Sequence, residues 1–160
     1  MFAIAIRYLT GRATATHPSH REKPEWPPHP GRLFMALVAA WGDRTDAAER
    51  AALEALEQLG PPALHVPEAS ESAPVGYFVP VNDVRGVLAL PSSRHKAARH
   101  FPSVVPEREA VHFIWPAAEL READRRAIAG LCGRVTYLGH SSTLVQAYPA
   151  DAPPEPNLVD

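Results

Sequence analysis

Apolar and polar positions alternate at the start of the chain. Phe2, Ile4, Ile6 and Tyr8 fall on one side, and Ala3, Ala5, Arg7 and Leu9 on the other. That period of two predicts a strand with a mostly buried first face. The alternation stops at a loop, 11–31, whose second half carries Pro24, Pro27, Pro28 and Pro30 and cannot be helical. The period then lengthens. From Pro30 or Gly31 onward, Leu33, Phe34, Leu37, Val38 and Trp41 form one apolar stripe, which predicts a helix. Proline suits its first turn, where a missing N–H leaves nothing unpaired. A second helix is predicted from Asp46 to Leu59, capped by Asp46 with Glu49 and stopped by Gly60-Pro61-Pro62. Its apolar positions are Leu53, Leu56 and Leu59, and its other face is acidic.

Two strands are expected near Val75 to Val81 and Val87 to Leu90. Between Pro91 and Pro106 runs a basic segment of weak periodicity. Val111 to Trp115 reads as a strand, and Pro116 to Leu131 as a helix, with Leu120, Ala127, Ile128 and Leu131 inward and Gly133 behind it as C-cap. A last strand pair fits Val135 to Leu138 and Thr143 to Tyr148. Residues 150–160, ADAPPEPNLVD, read as a Pro-rich acidic linker or mobile tail. Without the extra helix and strand the order is βαββαβ. The expected fold is therefore α+β and ferredoxin-like: one antiparallel sheet with helices on one face, an added helix and an extended basic loop. The open face of such a sheet is a common RNA platform, although fold by itself does not give function.

Composition narrows the function. With 160 residues, 46% hydrophobic and 21% charged, the chain forms one cored domain, taken as 1–149. Cys132 is the only cysteine, which excludes a disulfide framework and multi-cysteine zinc sites and fits a cytoplasmic protein. A small buried thiol is its expected state. There is no run of about 18 apolar residues to span a membrane. The formal net charge is −2, so a uniformly basic binder is excluded, but local basic patches are not. Two segments are basic. From 7 to 32, Arg7, Arg12, Arg21, Lys23 and Arg32 face Glu22 and Glu25; from 85 to 108, Arg85, Arg94, Lys96, Arg99 and Arg108 face Glu107. The second also carries His95, His100 and Phe101. Cations that neutralise phosphates, interleaved with rings that stack on bases, suit single-stranded nucleic acid.

Candidate chemistry beyond binding is limited to histidines. His17 and His20 have HxxH spacing, but Pro18 spoils a helical ligand pair and no cysteine or acidic trio joins them. No metal and no cofactor are expected. In metal-free RNA cleavage, His17 or His20 would act as acid or base on the 2′-hydroxyl, with Arg21 or Lys23 on the phosphate. His140-Ser141-Ser142-Thr143 is no nucleophile elbow, because GHSST lacks the second glycine. No P-loop or dinucleotide fingerprint occurs.

Three blocks carry a resemblance: FAIAIRYLTGRATAT at the start, EWPPHPGRLFMALVAAW, and RVTYLGHSSTLV. Together they resemble the N-terminal half of a CRISPR-associated protein of type I-G (formerly I-U) effector complexes. The most specific match is W-P-P-x-P-x-R-L, at Trp26, Pro27, Pro28, Pro30, Arg32 and Leu33. The second is Y-L-G-x-S, at Tyr137, Leu138, Gly139 and Ser141. That family fuses two RNA-binding modules of the RAMP superfamily. The first resembles the subunit holding the crRNA 5′ handle, the second the endoribonuclease that processes crRNA. The resemblance implies a ferredoxin-like fold, crRNA as partner, and contact with the backbone and large subunits of the complex. Only the first module is expected here. The expected RNA-binding residues are Arg12, Arg21, Lys23 and Arg32 near the sheet end, and an arm of Arg94, His95, Lys96, Arg99, His100 and Phe101. Tyr137 and His140 join them, and Tyr8, Phe101 and Tyr137 are the candidate stacking rings. Two other readings remain open: the His17/His20 endoribonuclease, and a protein-contact module using the acidic helix and the Pro-rich loop.

Overall fold

Phe2, Ile4, Ile6 and Tyr8 are each at most 4% exposed, and they line the core face of a central strand. In this computed structural model, which describes residues 1–73, 76–80, 96–108 and 110–158, that strand is β1 (Phe2–Tyr8). The main sheet has the order β11-β1-β10-β5, formed by β11 (Val145–Pro149), β1, β10 (Ala110–Trp115) and β5 (Ala63–His65). Every neighbour pair is antiparallel. Each βαβ half leaves a gap that a strand of the other half fills, which is the split unit of a ferredoxin-like fold.

Register puts the core residues in rows. Ile4 pairs with Phe113 and Ile6 with Val111 on one side, and Ile6 with Ala147 on the other. Helices α1 (Pro30–Gly42) and α3 (Glu122–Cys132) bury Leu33, Leu37, Ile128 and Leu131 in the same cluster. Helix α2 (Ala47–Gln58) packs against α3 and adds Ala52, Leu53 and Leu56. Asp46 caps α2 by accepting from the Ala48 and Glu49 N–H groups. The Glu49 side chain does not complete a capping box; its carboxylate takes Arg134 at 2.6 Å, tying α2 to the chain after α3. The Cys132 thiol is buried and pushed up to about 12 by desolvation, so it is an inert core group.

Several expectations are corrected. The segment 11–31 is not all loop: it holds β2 (Ala13–Thr14), β3 (Thr16–His17) and β4 (His20–Pro24). The strand expected at 75–81 exists as β7 (Gly76–Pro80), but it is outside the main sheet. Its place there is taken by β5, three residues too short to show a period. The basic segment is not an irregular loop. It contains β8 (Lys96–His100), paired with β7, and β9 (Ser103–Pro106), paired with β2 and with β6 (Ala69–Glu71). Thus β6 to β9 form an arm inserted between β5 and β10. The strand expected at 87–90, with Arg85, Arg94 and His95, lies outside the described residues.

Helix α3 starts at Glu122, not Pro116. The chain first turns at Trp115, whose carbonyl accepts from Ala118, and Ala118 itself is buried. Arg121 then caps the helix in extended conformation and grips Asp124 with two bonds of 2.7 and 2.8 Å. Of the last strand pair, only the second member is a ladder strand, and it pairs with β1; the first contributes a single bridge, Tyr137 to Leu144.

Two further ties shape the fold. The Thr143 hydroxyl is buried and clasps β2, accepting from Thr14 N at 2.9 Å and donating to Thr14 O at 3.1 Å. The segment after β11 continues from Ala150, bonded to Ala3, to the far edge of the sheet. There Leu158 bridges Leu64, and the Asn157 amide both accepts from and donates to the Val66 backbone. Thr143→Val keeps the shape and removes both hydroxyl bonds. It is expected to destabilise the fold by about 1–3 kcal/mol, the cost of leaving buried backbone groups unpaired, read as a lower midpoint in urea denaturation.

Candidate nucleic-acid interface

The W-P-P-x-P-x-R-L block folds around an acid that the motif reading passed over. Glu25 is 8% exposed and stands between β4 and α1. Its carboxylate accepts from Arg32 Nε at 2.6 Å, Arg32 Nη2 at 2.8 Å and His29 N at 3.1 Å. Arg32 also donates to the Thr16 carbonyl. Burial by itself would raise the Glu25 pKa, but the Arg32 and His29 hydrogen bonds and the adjacent positive charge outweigh it and hold the carboxyl below its usual range. Trp26 packs at 6.0 Å from Tyr8, and His29 caps α1 through Nδ1. Arg32 is therefore committed to the turn, and Tyr8, 2% exposed, is closed to a base.

Other expected residues do come together. Arg12, Arg21 and Lys23 are exposed, as are Lys96 and Arg99. Strand β4 lies beside β9, and His100 of β8 approaches Glu22 of β4 at 4.0 Å. Arg21 and Lys23 alternate with Glu22 along β4, so they share the side of the strand opposite that contact. A string of rings runs from the arm to the turn at Gly139. Tyr77, in register with Arg99, lies 5.5 Å from Phe101, and Phe101 lies 4.9 Å from His140. The Y-L-G-x-S block delivers His140. Gly139 has a φ of +82°, and a side chain there would crowd the Thr14 carbonyl at 3.2 Å, so glycine is required for the tight turn. His140 Nδ1 accepts from the Ser142 N–H and hydroxyl, which fixes the ring. Tyr137 is exposed but lines a groove with Met35 and Ala36 of α1. Arg94 and His95 are outside the described residues.

His17 and His20 face each other across the β3–β4 turn, with ring centroids 5.2 Å apart. His17 Nδ1 accepts from Ser19 N, so the 3.5 Å contact between the two Nδ1 atoms is donated by His20. Among the described residues no group of three or more metal-ligating side chains occurs. Tyr77 was missed because one aromatic in a short strand carries no pattern. His65, His112 and Tyr148, on the open face of the sheet, were also missed. The alternation of Val111 and Phe113 into the core does place His112 on the opposite face.

The geometry defines a ferredoxin-like module whose arm bears exposed cations and a string of rings. The sequence profile of the family described as CRISPR-associated protein, GSU0054 family, matches residues 1–148, and the chain belongs to that family. No curated protein matches it. Among solved structures it is similar to Thermus thermophilus Cas6, with 16% identity and a TM-score of 0.42, over 92% of this chain and 53% of that one. A Cas6 product complex matches at 15% identity and a TM-score of 0.35, over 92% and 50%. The chain thus spans about half the length of those structures. Among the described residues no helix is long and apolar enough to cross a membrane.

Glu25→Gln weakens the ion pair without emptying the site. At neutral pH it is expected to destabilise the protein by about 1–3 kcal/mol, the usual cost of weakening a charged hydrogen-bond partner. The folded carboxyl titrates below its unfolded value of about 4.3, so its stabilisation is present above that pH and is lost as pH falls through the folded pKa. Urea denaturation at pH 7 and at pH 3 should show the wild-type advantage shrinking in acid.

Proposed function

We propose that this chain is the crRNA-binding N-terminal module of a type I-G (formerly I-U) RAMP-superfamily protein, acting in a Cascade-like surveillance complex in the cytoplasm. It grips the 5′ handle of the guide and caps one end of the backbone filament, in contact with the backbone and large subunits. One observation carries the reading: Arg99 is exposed without a salt bridge among the described residues and stands in register with Tyr77, the first ring of the Tyr77–Phe101–His140 string, while Arg21, Lys23 and Lys96 are exposed on β4 and at the start of β8. Arg12 extends the set. Cations hold the backbone in place and rings take unpaired bases. Membership of a CRISPR-associated family supports RNA as the partner.

Arg99→Glu is expected to weaken binding of labelled repeat RNA. It should also lower the salt slope by roughly 0.7 for each phosphate that the arm no longer neutralises, read by gel shift at 50 and 200 mM salt. Equal binding and equal slope would remove the arm from the interface.

The His17–His20 contact favours a second reading, metal-independent cleavage of the RNA. It predicts shortened repeat RNA in EDTA, ending in a 2′,3′-cyclic phosphate, and loss of cleavage in the double alanine variant on denaturing gels.

A further inference from the structure

The open face of the main sheet is roofed. After β11 the chain 150–158 runs from β1 to the β5 edge, with Pro154 lining a cavity beside Arg7 of β1 and His112 of β10, and the Glu155 carbonyl at His65 of β5. Beneath it four residues stand in register across the sheet. Tyr148 of β11 pairs with Ala5 of β1, Ala5 with His112 of β10, and His112 with His65 of β5. Around that row opens a cavity of about 490 Å³, lined by Arg7, His65, Arg108, His112, Tyr148 and Pro154 among others.

The lining is donor-rich and cationic. It contains no carboxylate among the described residues. His65 donates its Nδ1–H to the Glu155 carbonyl at 2.7 Å, so its Nε2 becomes a second donor when the ring takes up a proton alongside an anion. His112 Nδ1 is buried with no partner. An unpaired lone pair is better tolerated there than an unpaired N–H, so the proton sits on Nε2 as a donor. The rings are 6.0 Å apart, edge to face. Arg108 is exposed at the rim and supplies a guanidinium. Burial first, and then the neighbouring His65, hold the His112 pKa below its ordinary value. An anion between the rings reverses that balance.

We propose that this roofed cavity is a phosphate-binding site, separate from the arm, which takes the phosphate of a mononucleotide or of a nucleic-acid backbone between His65, His112 and Arg108. A phosphate offers several acceptor oxygens to imidazole and guanidinium donors, and these donors match it without a metal ion.

The test follows the imidazole C–H signals of the intact chain by NMR, assigned with single His→Gln variants. Inorganic phosphate, a nucleoside 5′-monophosphate and a single-stranded RNA without terminal phosphate are titrated separately. Saturable shifts of His65 and His112, with their midpoints moved to higher pH while His17 and His20 stay put, are the expected result. Arg108→Ala, at an exposed position, should weaken the response at least threefold with unchanged thermal unfolding. A response to the RNA assigns the site to a backbone phosphodiester; a response to the small phosphates only assigns it to a free nucleotide. No saturable shift, or equal shifts at His17 and His20, overturns the proposal. RNA effects at His100 and His140 report on the arm, so failure of that interface is seen separately.

Discussion

A single carboxylate stands where β4 turns into α1, and three donors converge on it. Glu25 takes both arms of Arg32 and the His29 backbone, and Arg32 reaches on to the Thr16 carbonyl of β3. A charge this buried is tolerated only when paired and hydrogen-bonded. The pairing therefore dictates the path of the Pro-rich block, the start of α1 and the place of the β3–β4 hairpin. The prolines stiffen the turn, and Trp26 seals it against Tyr8.

The second half of the domain is joined to this turn by a clasp of similar economy. Thr143 answers both the N–H and the carbonyl of Thr14, and Gly139 allows the backbone to come close enough for that contact. The same turn aims His140 at Phe101. The two most specific sequence blocks thus act first on the fold, and through it on the interface. Arg32 shapes the surface from which Arg21 and Lys23 project.

Charge is segregated rather than abundant. A net charge of −2 coexists with exposed arm cations, and several acidic side chains are committed to arginines away from the arm. Glu25 holds Arg32, Glu49 holds Arg134, and Asp124 holds Arg121. The arm cations have no such partners among the described residues. On the main sheet, the segment over His65 and His112 changes what an open sheet face can accept. A bare platform for several stacked bases is replaced by a small, donor-lined cavity.

Local pattern was enough for the long elements. β1, α1 and α2 were legible because each repeats its period over at least two turns or pleats, and β10 because it alternates cleanly. The βαββαβ order was reached with the strand at 75–81 or 87–90 in the place that β5 holds. The two matched blocks also marked where the chain is constrained. What the pattern could not show is pairing between distant segments. β5 and β9 are too short to have a period, and they exist because β10, β2 and β6 supply their hydrogen bonds. α3 begins late because Asp124 and the buried Ala118 set its entry. The basic residues of the arm were named from charge and rings alone, but their meeting with Tyr77 and His140 depends on the hairpin. Arg32 read as a phosphate ligand until its buried partner was placed beside it. The row of Tyr148, Ala5, His112 and His65 comes from four separate strands, so no window of sequence contains it. The chain by itself determined the periodic elements and the inventory of charges and rings. The tertiary structure alone decided which charges are neutralised and which rings meet, because both depend on contacts between residues far apart in sequence.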